Sequence, residues 1–252
     1  SFTADYFLFF ITSKQLVKLF VFPVQEPTLS PDGKKLAYAK VNNLFVYDIA
    51  SKTTTTITTD GKKNSIINGI TDWVYEEEFA FVKAFDWSAD SKKIAFIRFD
   101  ESEVPEFSMS IFQKELYPKV ETFKYPKAGE KNAVVSLHIY DVASQTKKDV
   151  NLGNYNDFYI ARMQWTNDAN VLSAQVLNRH QDNLDLLFID GTTAAAKVVL
   201  NEKDKAYIDV TDNLTFLKDN SFIWTSEKDG FNHIYLYDKT GKLINQVTKG
   251  NW

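Results

Sequence analysis

The 252-residue sequence contains no cysteine, which excludes disulfide bonds and thiolate metal sites. Its 3 histidines, His138, His180 and His233, are far from the short spacing of metal ligands, and we interpret them as strand or surface residues. It also has no glycine-rich phosphate loop. A formal net charge of -4 without a basic stripe argues against nucleic acid as a partner. We therefore expect no metal, no cofactor and no nucleic acid.

Long hydrophobic runs are missing as well. Polar residues at Thr12-Ser13, Lys14 and Lys18 divide the apolar opening, residues 2–24, into two runs of about six residues, too short to span a membrane as a helix. We expect a two-stranded hairpin there instead. No signal peptide is visible and the first residue is Ser1, from which we expect a trimmed start.

Aromatic residues, in contrast, are abundant, with 20 Phe, 12 Tyr and 5 Trp, and aromatic residues favour strands. The turn Ser30-Pro31-Asp32-Gly33-Lys34 and the strand after it recur from Trp87, and related units start at Trp165 and Phe216. Repeats of about 40 to 50 residues with four short strands each are typical of a β-propeller, and they disfavour the alternative of a β-sandwich. We predict an all-β fold, a partial ring of about four to five four-stranded antiparallel blades, plus one short helix.

The blade repeats are expected at about residues 1–29, 30–61, 62–153, 154–204 and 205–252. Two insertions, residues 70–84 and 99–134, interrupt the third of these, and insertions in repeats often carry function. Four aspartates recur at equivalent positions, which indicates turn formers rather than a catalytic set. They are Asp48, Asp141, Asp190 and Asp238. Trp87 and Trp165 open corresponding strands, which favours a role in packing over ligand stacking.

The first insertion contains Asp72-Trp73-Val74-Tyr75-Glu76-Glu77-Glu78. Asp72 is a plausible helix N-cap, which would place the three glutamates in the first two turns, where the helix dipole favours anions. Neighbouring side chains on a strand point to opposite faces, so Glu77 and Glu78 can converge on one ligand only from a helix or turn. Two carboxylates suit a primary ammonium, which has three donors and one charge. The alternative is a solvated acidic helix start without a ligand.

Three segments, Ile70 to Glu78, Phe99 to Pro105 and Tyr125 to Gly129, resemble the N-terminal propeller domain of the dipeptidyl peptidase IV family. The resemblance covers most of the chain. It implies that Glu77 and Glu78 bind the α-ammonium of a peptide substrate, supported by Asp72, Trp73, Tyr75 and Glu76. It also implies a bacterial parent, periplasmic, secreted or at the cell surface. In that parent an eight-bladed propeller caps an α/β-hydrolase domain, and the serine exopeptidase releases N-terminal dipeptides with Pro or Ala second.

The sequence departs from the family pattern where catalysis is concerned. It has no Gly-x-Ser-x-Gly elbow, so we assign no catalytic residue and expect the hydrolase domain to be absent and this chain to be inactive alone. The basic Arg-His pair that precedes the segment matching Ser1-Phe2 in family members is also absent. The arm at residues 116–135 matches a segment that pairs with a second subunit, which implies a homodimer; a mobile surface loop is the alternative. A second hypothesis for the whole chain is a non-catalytic propeller scaffold resembling the TolB type.

Overall fold

The computed structural model describes residues 3–153 and 155–252. The chain forms two compact units, one of Ser1–Ala84 with Ile97–Val134, the other of Phe85–Phe96 with Val135–Trp252. The predicted blade starts at residues 1 and 154 lie outside the described residues. Within the described ranges, no helix is long and apolar enough to cross a membrane.

The first unit opens with a hairpin and a four-stranded antiparallel sheet. The hairpin strands are β1 (Phe7–Phe10) and β2 (Gln15–Lys18). The sheet, in spatial order, is β3 (Gln25–Leu29), β4 (Lys35–Lys40), β5 (Asn43–Asp48) and β6 (Thr53–Thr56). Aromatic and aliphatic side chains of β4, including Leu36 and Tyr38, pack with Phe20 and Val24 in the core of this unit. The strands form because short apolar stretches are bounded by turn residues on both sides.

The next sheet is interrupted by both insertions. Its elements in chain order are β7 (Ile66–Asn68), the helix α1 (Trp73–Glu78), β8 (Phe85–Trp87) and β9 (Lys93–Asp100). They are followed by β10 (Glu106–Ile111), β11 (Lys119–Lys124), β12 (Val134–Asp141) and β13 (Thr146–Asp149). Strand β9 pairs through its first half with β8 and through its last three residues with β7. Strands β10 and β11 form a separate antiparallel hairpin, the arm hairpin, with the loop 112–118 between them.

The second unit contains two further four-stranded antiparallel sheets. The first consists of β14 (Phe158–Trp165), β15 (Val171–Asn178), β16 (Asn183–Asp190) and β17 (Ala196–Lys203). The second consists of β18 (Thr215–Phe216), β19 (Phe222–Ser226), β20 (His233–Tyr237) and β21 (Leu243–Gln246). In both sheets the strands are hydrogen-bonded in chain order. This order is the meander of a propeller blade.

The sheets confirm the predicted all-β fold and the partial β-propeller. The four recurring aspartates are turn formers, as expected. Each accepts a hydrogen bond through its carboxylate from a backbone N–H two or three residues further on, at 2.6–2.9 Å. The local cause is the same each time, because a short carboxylate can bond its own turn and so fix the link between two strands.

Candidate functional site

The insertion that carries the glutamates is closed at its base. The chain leaves β7 at Gly69 and returns at Ala84, whose N–H donates to the Gly69 carbonyl at 3.0 Å. One step further out, the Thr71 N–H donates to the Val82 carbonyl, also at 3.0 Å. Gly69 has φ of +75°, a left-handed conformation that favours glycine. The insertion is therefore a loop that leaves the sheet and returns to it, with its two ends joined by hydrogen bonds.

Asp72 caps α1 as predicted, since its side-chain Oδ1 accepts a hydrogen bond from the Tyr75 N–H at 3.0 Å. The helix has only six residues and ends at Glu78, so the last glutamates lie at its C-terminal end. Only Glu76 lies in the favourable first turn, so the expectation that the dipole stabilises all three glutamates is wrong for Glu77 and Glu78. At the C-terminal end of a helix a negative charge is disfavoured, typically by about 0.3 to 1 kcal/mol.

One side of α1 is packed against the rest of the first unit. Tyr75 is 2% exposed, and its ring lies 4.8 Å from that of Phe99 and 5.7 Å from that of Phe81, measured between centroids. Trp73, at the start of the helix, packs on Tyr125, with 4.3 Å between ring centroids. A six-residue helix is not stable by its own hydrogen bonds, so these aromatic contacts hold it in place.

Glu77 and Glu78, the last two residues of the same helix, are exposed. Within residues 3–153 and 155–252, neither side chain forms a hydrogen bond or an ion pair, and Glu76 beside them is half-buried. Successive residues on a helix are about 100° apart, so the two carboxylates leave α1 in neighbouring directions. The two carboxylates thus project from a helix that is held in place by packing. They can accept hydrogen bonds from a bound cation.

A buried carboxyl pair beneath α1 was missed by reasoning from the sequence. Glu101 is 6% exposed and Asp72 7%. The pKa of Glu101 is raised to about 7, chiefly by burial and additionally by the nearby Asp72 carboxylate, while Lys124 opposes the shift. Burial likewise raises the pKa of Asp72 to about 6, against the hydrogen bond from Tyr75. The available signal was strand phase, because Glu101 lies two residues after the buried Phe99 and therefore on the same face.

Lys124, at the end of the arm hairpin, is the cation next to this pair. Its ammonium donates to the backbone carbonyls of Val104 at 2.8 Å and Ser102 at 3.2 Å. The side chain is only 10% exposed. Its ammonium also lies 3.8 Å from Glu106 Oε1. Through the two carbonyls, Lys124 fixes the loop after β9 to the end of the arm hairpin.

The second unit contains a hydrogen-bonded chain of Ser136, His138 and Asp149, which the sequence analysis did not single out. The Ser136 hydroxyl lies 2.8 Å from His138 Nε2, and His138 Nδ1 lies 2.8 Å from Asp149 Oδ1. The Asp149 side chain is 75% exposed, whereas the carboxylate that orients a catalytic histidine is buried. His138 and Asp149 face each other across β12 and β13, so we interpret this chain as a tie between strands.

Repeated four-stranded antiparallel sheets, together with an inserted glutamate helix, define the chain as part of a β-propeller that carries a charged insertion. Residues 1–252 match the family described as "Dipeptidyl peptidase IV (DPP IV) N-terminal region". The chain belongs to this family.

Individual relatives agree with this assignment. The chain is 31% identical to a probable dipeptidyl-aminopeptidase B of Coccidioides posadasii, with 91% of this chain and 28% of that protein covered. It is also 31% identical to dipeptidyl aminopeptidase B of Saccharomyces cerevisiae, with 88% and 29% covered. The crystal structure of Porphyromonas gingivalis dipeptidyl peptidase 4 superposes with a TM-score of 0.95 at 41% identity, with 99% of this chain and 36% of that chain covered. The chain thus spans less than a third of the length of these two curated relatives.

Proposed function

We propose that this chain is the propeller portion of a dipeptidyl peptidase and that Glu77 and Glu78 bind the N-terminal ammonium of its peptide substrates. The parent protein is a serine exopeptidase that releases X-Pro or X-Ala dipeptides. Its α/β-hydrolase domain supplies the nucleophile, and the propeller controls which peptides reach it. The chain belongs to the dipeptidyl peptidase IV N-terminal family, and relatives over its length are named dipeptidyl aminopeptidases.

One observation carries this proposal. Glu77 and Glu78 are exposed and unpaired within the described residues, on a short helix that the packing of Tyr75 and Trp73 holds in place. Their position at the C-terminal end of α1 is electrostatically unfavourable, and no cationic residue lies in the last turn of the helix. A bound ammonium offsets this unfavourable charge and offers three hydrogen-bond donors to the two carboxylates.

When an anionic pair at a fixed distance from the nucleophile binds the free amine of a peptide, it determines which peptide bond reaches the nucleophile. Only peptides whose second residue then meets the nucleophile are cleaved, which makes the enzyme an exopeptidase. The α-ammonium of a peptide loses its charge above about pH 8, so binding through the two glutamates weakens as the pH rises through that value.

The test uses the full-length protein and a Gly-Pro chromogenic substrate. Glu77→Gln and Glu78→Gln remove one charge each without changing side-chain size, and we expect either to lower kcat/KM at least about 100-fold, or about 2.7 kcal/mol. Glu227→Gln, at an exposed position directly after β19 and outside the arm, is the control and should behave as wild type. Near-normal kcat/KM in both glutamate variants would contradict the proposal and favour a non-catalytic scaffold.

We also propose that the parent is a homodimer in the periplasm, at the cell surface or secreted, and that the arm at residues 116–135 contacts the second copy. Support comes from apolar side chains that the arm hairpin exposes, above all Leu116 at 91%, Phe112 at 81% and Tyr117 at 80%. Large apolar side chains grouped in this way are typical of surfaces that another protein covers.

A further inference from the structure

The contact between Trp73 and Tyr125 joins the two insertions of the first unit. Trp73 is the first residue of α1, and Tyr125 directly follows β11 of the arm hairpin. Their ring centroids lie 4.3 Å apart with the planes inclined at 58°. The start of the glutamate helix therefore packs on Tyr125, at the end of the arm hairpin, which we call the arm base.

Tyr125 is itself held firmly. Its N–H donates to the Pro105 carbonyl at 2.9 Å. Its ring lies 5.6 Å from that of Phe107 on β10 and 6.3 Å from that of Phe123 on β11. The neighbouring Lys124 is fixed by two backbone carbonyls, as described above. Tyr125 is thus a rigid surface on which Trp73 packs.

Trp73 and Glu77 are four residues apart on α1 and therefore lie on the same face, one turn apart. A change in where Trp73 rests rotates or shifts this face and moves the Glu77 carboxylate with it. The helix has only six residues, so its own hydrogen bonds resist such a movement poorly. Displacements of about 1 Å in a positioning group can cost about 100-fold in rate.

We propose that Tyr125 is a positioning residue for substrate binding: its ring supports Trp73 and so sets the orientation of Glu77 toward the substrate ammonium. The inference rests on the proposed function of Glu77. It extends that function to a residue of the other insertion, which acts through Trp73 and Glu77. The arm base thereby helps to determine amine recognition.

The experiment measures kcat and KM of the full-length protein with a Gly-Pro chromogenic substrate for Tyr125→Ala, Tyr125→Phe and Glu77→Gln. We expect Tyr125→Ala to lower kcat/KM about 10-fold or more, chiefly through a higher KM. Tyr125→Phe should keep the wild-type kcat/KM because the ring remains. In the Glu77→Gln background, Tyr125→Ala should cause little further loss, because Tyr125 acts through Glu77. If Tyr125→Ala does not fold, Tyr125→Leu takes its place.

Tyr207→Ala is the control, because it removes an exposed ring outside the arm and should leave kcat/KM unchanged. Tyr117→Ala removes an exposed ring of the proposed subunit contact while the support under Trp73 remains. Normal kcat/KM in Tyr125→Ala, or a loss that adds fully to that of Glu77→Gln, would overturn the inference. So would a Tyr117→Ala variant that reproduces both the loss and its non-additivity, since the cause would then be association of subunits. Normal activity of Glu77→Gln alone would instead refute the proposed function, and the inference with it.

Discussion

Glu101 offers the sharpest test of the electrostatics beneath the glutamate helix. Its carboxyl group is buried, with Asp72 and Asp100 as anionic neighbours and Lys124 as the opposing cation, and its pKa rises from 4.5 to about 7. An acid with a raised pKa in the folded state makes the protein less stable once it is ionised. The perturbation is Glu101→Gln, which keeps the shape of the protonated acid at every pH.

The size and sign follow from linkage. Between pH 4.5 and about 7 the folded protein binds more protons at Glu101 than the unfolded chain, so stability falls as pH rises through this window. Above pH 7 the full penalty applies, about 3 kcal/mol from the change in pKa. Below pH 4.5 the group is protonated in both states and the penalty disappears. Glu101→Gln should therefore match wild type near pH 4.5 and be up to about 3 kcal/mol more stable at pH 8.

The assay is the difference in Tm between variant and wild type at several pH values from 4.5 to 8. With about 2 to 4 °C per kcal/mol for a domain of this size, we expect a gain of roughly 6 to 12 °C at pH 8 that shrinks to near zero at pH 4.5. Glu103→Gln is the control, because Glu103 lies two residues away with a side chain that is 75% exposed. A difference that does not depend on pH, or one that grows toward low pH, would refute the reasoning.

Two further predictions concern the arm and the base of the glutamate insertion. Sedimentation of the full-length protein lacking Lys119 to Lys131 should show monomers in place of dimers, and an unchanged dimer would remove the proposed role of the arm. Gly69→Ala should lower the free energy of unfolding by roughly 1 to 3 kcal/mol, because φ is +75° and a Cβ would lie 2.9 Å from Leu44 Cδ1. Gly33→Ala is its control in thermal unfolding, since that glycine has φ of +69° but open space around it, and an equal loss in both would exclude the steric contribution.

The sequence alone indicated the all-β propeller fold, the N-cap and the family. Turn aspartates such as Asp48 and Asp190 bond nearby backbone groups, and strands alternate apolar and polar residues over a short stretch. Both signals are local, so they can be recognised before the fold is known. The capping by Asp72 is equally local. The glutamate motif could be recognised for the same reason, because its identity lies in one continuous segment.

Tertiary structure decided where the helix ends and what lies beneath it. Ala80 adopts a left-handed φ of +55° soon after Glu78. Glycine usually takes this conformation, so no glycine marks the end of the helix in the sequence. The pairing of Trp73 with Tyr125 and the burial of Glu101 beside Asp72 join residues far apart in the chain. Such contacts depend on how the two insertions fold onto one unit, and no short-range pattern encodes them. The sequence thus indicated the two glutamates as a candidate site, while only the fold showed the packing that holds their helix in place.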